Sequence, residues 1–335
     1  MEGPAISSRG GDDTPQSPHL LPLRARLQPT KSPVNSPYSL HSMRNISLPC
    51  LSFARYLIGV NLIRFACAVL TLPMLASGAD WKLVWSDEFD KPGLPDPAKW
   101  GYETGFVRNN ESQFYTSNRK ENARVENGLL IIEARREKFP NPDMKQGGGV
   151  KSHEMADYTS ASLTTEGKAA WTYGRVEVKA KVPGGRGTWP AIWMLGSNRL
   201  KAGWPACGEL DIMEFVGYEP GIIHANVHTA KYNHTKGTGR GDKIRIADAD
   251  TVFHVYAMEW FNDRLDFFVD GQKYFTCKND NGGNESWPFD KPEYLILNLA
   301  IGGAWGGRNG IDDAIFPARY EIDYVRVYQS ATKVP

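Results

Sequence analysis

The chain has 335 residues, 41% of them hydrophobic and 23% charged, a globular composition with material for one large core or two smaller ones. Thirty-nine basic residues against thirty-eight acidic ones leave a formal charge of +1. Nucleic acids and anionic membranes are bound by clustered Lys and Arg, which the globular part lacks, so the balance excludes both and points to a neutral partner.

Residues 1–42 are rich in Pro and Ser, show no hydrophobic period and read as a disordered segment or an over-extended gene start. Residues 43–79 follow the order of a secretory signal: Met43, then Arg44, Arg55 and Arg64, an apolar stretch over 65–75, and Ala76-Ser77-Gly78-Ala79. The alternative is a membrane anchor, but the 11 residues of 65–75 fall short of the roughly 20 that span a bilayer. Cleavage near Ala79 and export, extracellular or periplasmic, are therefore expected. All ten Trp residues lie from Trp81 onward, so residues 80–331 are expected to be a single functional domain. Of the four Cys, Cys207 and Cys277 fall in that domain. They could form one disulfide or remain as two separate buried thiols.

In chain order, the strand candidates are 83–86, 129–134, 160–164, 175–182, 192–195, 252–260, 265–269, 272–275, 294–300 and 320–328. The clearest is 175–182, where charged Arg175, Glu177, Lys179 and Lys181 alternate with apolar Val176, Val178, Ala180 and Val182. Asp270-Gly271 between two candidates predicts a two-residue hairpin turn, because both residues tolerate positive φ. No amphipathic helix of 12 residues appears. Many short strands without helices predict an all-β sandwich of two antiparallel sheets.

The run Glu209-Leu210-Asp211-Ile212-Met213-Glu214 sets three carboxylates in an apolar strand. Alternation puts Glu209 and Asp211 on one face and would send Glu214 to the other, into the core, where a lone carboxylate is costly. One extra residue at Ile212-Met213, a β-bulge, returns Glu214 to the face of Glu209, so the spacing predicts a bulge. Carboxylates sharing a face repel, which raises at least one proton affinity and supplies an ionised attacker beside a protonated donor. Retaining glycosidases hold such a pair about 5–5.5 Å apart and inverting ones about 6.5–9.5 Å, with room for a water; carboxylates from one strand fit the shorter separation better. The bland readings are a solvent-facing acidic strand or a calcium site.

Aromatic and glycine-rich segments around the run favour carbohydrate chemistry. They are Trp189-Pro190-Ala191-Ile192-Trp193, Gly203-Trp204-Pro205 and residues 302–307 with Trp305. Sugar rings dock on exposed aromatic faces, although a single Trp is more often core than platform. His224, His228 and Asn298 are polar residues that need partners, whether structural or substrate.

Seven segments in order resemble glycoside hydrolase family 16, in its laminarinase-like branch of endo-β-1,3-glucanases. They are Trp85-Ser86-Asp87-Glu88-Phe89, 158–168 (YTSASLTTEGK), 171–175 (WTYGR), 189–195 (WPAIWML), 209–214 (ELDIME), 298–303 (NLAIGG) and 323–328 (DYVRVY). The resemblance implies a concanavalin A-like jelly-roll β-sandwich and retaining double displacement on β-glucan. It gives Glu209 the role of nucleophile, Glu214 that of general acid/base and Asp211 that of helper. Substrate would meet Asn110, Trp189, Trp193, Trp204, His228, Asn298 and Trp305. Met213, as the bulge residue, favours β-1,3 linkages. No cofactor is needed for the chemistry, and a structural calcium would sit on Glu88, Asp323 and a backbone oxygen near Gly128. The expectation is a secreted, monomeric β-glucanase, with agarose-, carrageenan- or xyloglucan-cleaving relatives and a non-catalytic β-glucan-binding module as alternatives.

Overall fold

The computed structural model describes residues 80–330, and the expected leader and the last five residues lie outside them. In chain order the strands are β1 (Trp81–Asp87), β2 (Gly101–Glu103), β3 (Gln113–Tyr115), β4 (Ala123–Glu126), β5 (Leu129–Pro140), β6 (Met155–Ser160), β7 (Ser162–Thr164) and β8 (Gly174–Lys181). They continue with β9 (Thr188–Gly196), β10 (Glu209–Phe215), β11 (Ile222–His228), β12 (Arg240–Arg245), β13 (His254–Trp260), β14 (Arg264–Val269), β15 (Gln272–Lys278), β16 (Glu293–Ile301) and β17 (Ala318–Ser330). A single-turn helix, α1 (Arg199–Ala202), joins β9 to β10. Among the described residues no helix is long and apolar enough to cross a membrane.

Two sheets result. One has seven strands in the order β12-β11-β10-β9-β16-β7-β2; the other has ten, β15-β14-β13-β8-β17-β5-β6-β3, with β1 on β17 and β4 on β5. The two-residue side-chain period explains how they pack. On β8, Val176, Val178 and Ala180 are buried while Arg175, Glu177, Lys179 and Lys181 stay partly exposed. On the facing sheet Ile192 and Met194 of β9, Leu210 and Ile212 of β10, and Leu295, Leu297 and Leu299 of β16 enter the same core. One face of the seven-stranded sheet thus closes the sandwich, and its other face is available for a site. The predicted hairpin joins β14 to β15, with Val269 opposite Gln272 and positive φ at Asp270 and Gly271.

Strand β11 has no counterpart among the expected strands. Its Ile223, Ala225 and Val227 are buried in the core, and His224, Asn226 and His228 alternate with them, so the polar half of the period obscures the apolar half. Cys207 and Cys277 are separate, buried free thiols.

Candidate active site

The predicted bulge is present on β10. Across β11, Asp211 opposes Asn226 and Glu214 opposes His224; across β9, Asp211 opposes Trp193 and Met213 opposes Ile192. The extra residue lets both Ile212 and Met213 turn into the core, each at 1% exposure or less. Glu214 therefore returns to the outer face, and Glu209, Asp211 and Glu214 line one cleft of about 650 Å3.

Fixed donors hold Glu214. Its Oε1 accepts the Trp189 indole N–H at 3.1 Å and its Oε2 accepts the Asn226 amide at 2.8 Å. Trp189 packs edge-on against Trp305, centroids 5.5 Å apart, and Trp305 against His224 at 5.0 Å. Glu219 anchors His224 through Nε2 at 3.2 Å. At the other end, Glu209 Oε2 accepts the Trp204 indole N–H at 2.8 Å. His228 Nε2 lies 3.3 Å from Asp211 Oδ2 and 3.7 Å from Glu209 Oε1.

Burial raises the proton affinity of all three carboxyls. Glu209 is pushed up to about 8 by burial and then by the charge of Asp211. Asp211 is held well above its ordinary range by burial and by Glu214. Glu214 is raised by burial, while the Asn226 and Trp189 donors pull it back. A proton retained on Asp211 removes the charge that most opposes ionisation of Glu209, so Glu209 can carry the negative charge of the cluster.

The other expected contacts divide. Trp189, Trp204 and Trp305 line the cleft, and Trp204 is 40% exposed. Trp193 lies along the cleft but is no open platform: its indole N–H donates to Asn298 Oδ1 at 2.8 Å and the Arg108 guanidinium caps its ring at 4.8 Å. Asn298 is likewise buried, donating to the Tyr115 hydroxyl at 3.0 Å. His228 is seated against Asp211 and Glu209 rather than standing free for substrate. Asn110 is not among the lining residues; its neighbours Asn109 and Glu111 are.

Several lining residues had no place in the sequence reading. Asn226 was detectable, since it falls between His224 and His228 on one face of β11. Glu103, Arg108, His234 and Arg308 come from loops and an edge strand, where no short-range period marks them. A further acid, Glu293, sits behind the cluster at 1% exposure, and among the described residues neither of its carboxyl oxygens has a hydrogen-bond partner. Its Oε1 lies 3.0 Å from where a side chain on Gly208 would begin.

The expected calcium ligands are otherwise engaged. Arg326 grips both oxygens of Glu88, at 3.0 and 2.7 Å, and Lys179 meets Asp323 at 2.7 Å. Gly128 sits in the turn between β4 and β5 with φ of 77°. Each acid is already neutralised by a different cation, so calcium would have to displace both ion pairs.

The family model for glycosyl hydrolases family 16 matches residues 110–326. The beta-glucanase of Rhodothermus marinus is 48% identical over 276 residues, covering 80% of this chain and 92% of that protein. A glucan endo-1,3-beta-glucosidase of Cryptopygus antarcticus is 37% identical over 279 residues, covering 76% of this chain and 97% of its own length. Among solved structures, the laminarinase of Rhodothermus marinus matches with a TM-score of 0.70 at 50% identity, covering 76% of this chain and all of that one. The two-sheet sandwich, the bulged acidic strand and these likenesses agree: the chain belongs to glycosyl hydrolases family 16.

Proposed function

We propose that the protein is a retaining endo-β-1,3-glucanase that cleaves laminarin-type and mixed-linkage β-glucan and is exported behind the signal-like residues 43–79. The observation that carries the reading is the bulge that turns Glu214 into the same Trp-lined cleft as Glu209. Relatives named beta-glucanase and glucan endo-1,3-beta-glucosidase supply the substrate class.

Glu209 attacks the anomeric carbon as Glu214 gives its proton to the departing glycosidic oxygen, so the C–O bond breaks as the glycosyl ester forms. Esterification cancels the charge of Glu209. Glu214, now ionised between its two fixed donors, takes a proton from water, whose oxygen attacks the ester and restores both groups. Two inversions leave the anomeric configuration unchanged. Asp211, holding a proton beside Glu209, steadies the nucleophile without competing for negative charge. Atoms and charge balance with water alone, so no cofactor takes part.

The test is incubation with laminarin, barley β-glucan, agarose and xyloglucan, with reducing ends, product linkage and the first-formed anomer measured. Rapid release of β-anomeric oligosaccharides from laminarin is expected. Release from agarose or xyloglucan alone would move the assignment to another member of the fold. No release from any glycan would favour a binding module, a reading that retention of both Glu209 and Glu214 opposes.

A further inference from the structure

The nucleophile end of the cleft has a second chemical capacity. Glu209, Asp211 and His228 each offer one ligand atom, and these atoms all lie within 4.8 Å of one another. Two of the edges are 3.3 and 3.7 Å. Nitrogen and oxygen ligands bound at about 2.0–2.2 Å to a tetrahedral zinc ion lie roughly 3.3–3.6 Å apart, so the His228–Asp211 edge falls in that range and the His228–Glu209 edge lies just beyond it. Among the described residues Asp211 Oδ2, on a residue 3% exposed, has no hydrogen-bond partner, and it lies against the imidazole. A buried carboxyl oxygen without a partner is costly, and a zinc ion that displaces the proton held on Asp211 would satisfy it.

We propose that Glu209, Asp211 and His228 form an inhibitory zinc site, with the fourth position open to the cleft. One nitrogen and two oxygens suit zinc; calcium requires about six to eight oxygens. The site is built for reversible rather than resident binding. His228 Nδ1 is buried without an acceptor, whereas an imidazole bound to a metal ordinarily donates its other N–H, and losing that partner weakens affinity about 10–100-fold. Zinc on Glu209 Oε1 engages the atom that must attack the sugar, so hydrolysis stops and returns when the ion is removed. That inhibition rests on Glu209 being the nucleophile; the binding does not.

The test has two arms. The EDTA-treated, dialysed protein is titrated with zinc chloride by calorimetry without substrate, alongside H228Q, D211N and the exposed control H153Q, each checked for an unchanged thermal transition. One zinc per chain is expected, with affinity lowered roughly tenfold or more in H228Q and D211N and unchanged in H153Q. In the second arm zinc suppresses laminarin hydrolysis by the wild type and EDTA restores it. Absence of binding at millimolar zinc, or equal affinity in H228Q or D211N, overturns the site. Binding by a protein that hydrolyses no glycan overturns the proposed function and leaves the site standing.

Discussion

Glu209 and Glu214 end the same six-residue run, yet their carboxyls are held in opposite ways. Each oxygen of Glu214 accepts an N–H from a fixed donor, and one of those donors, Trp189, is backed by Trp305, His224 and Glu219 in turn. Glu209 accepts one N–H, from a half-exposed Trp204, and otherwise faces a second acid and an imidazole. Two copies of one side chain are thus fitted to different tasks by their surroundings. A rigid frame of donors offsets burial and keeps Glu214 able to give and regain a proton. Sparse anchoring leaves Glu209 free to form a bond.

The hardest way to break the comparison is to remove each carboxylate. Glu209→Gln keeps the shape and loses the nucleophile, so turnover on laminarin should fall by about 10⁴-fold or more while the polysaccharide still binds; near-normal turnover would refute the assignment. Glu214→Ala should lose roughly 10²–10⁴-fold on laminarin but retain activity on aryl glycosides whose leaving groups need no proton. Azide should accelerate that residual activity and yield a β-glycosyl azide. No such rescue is expected for Glu209→Gln, and azide rescue of both variants would erase the distinction between the two ends.

A milder change probes the frame alone. The Trp189 N–H favours the ionised form of Glu214, so Trp189→Phe removes that support while keeping an aromatic ring against Trp305. The carboxyl should hold its proton to higher pH. Because the alkaline limb of the rate profile reports loss of that proton, the limb should move up, with turnover lowered by roughly tenfold or less. His224→Ala, which removes no hydrogen bond to Glu214, should move it less. A limb that stays in place in Trp189→Phe would mean that the hydrogen bond does not set the acid.

The contrast between the two ends was partly legible in the residues themselves. The five-residue offset from Glu209 to Glu214 is odd, and an odd offset can share a strand face only through a bulge, so local geometry alone foretold it. The surroundings were less accessible. Trp193 and Trp189 stand two pleats apart on β9 and look alike in sequence; Arg108, from a distant loop, covers one of them. The calcium expectation met the same limit: Glu88 and Asp323 were read as a pair, and Arg326 and Lys179 each reach one of them from elsewhere. Periodicity identifies which face a residue takes, but not which distant side chain arrives on it.

The smallest effect concerns Glu293, behind the nucleophile end. Burial, and then the charges of Glu209 and Asp211, hold its proton well above the ordinary glutamate range, and neither carboxyl oxygen has a partner. The sign of the pH dependence follows. Below about pH 4.5 both the folded and the unfolded chain carry the proton, and Glu293 contributes nothing adverse. As pH rises, only the unfolded chain releases it, so the folded state binds more protons and stability falls until the folded group also ionises. Glu293→Gln has the same shape and no proton to lose. Its melting temperature should match the wild type near about pH 4.5 and exceed it increasingly toward about pH 8, each kcal/mol being worth about 2–4 °C in a domain of this size. Glu293 touches no substrate in the double displacement, so turnover should change little. A melting-temperature gap that stays constant with pH would show that Glu293 remains protonated in neither state or finds a charge partner when it ionises, and the nucleophile end would then be less isolated than its hydrogen bonds indicate.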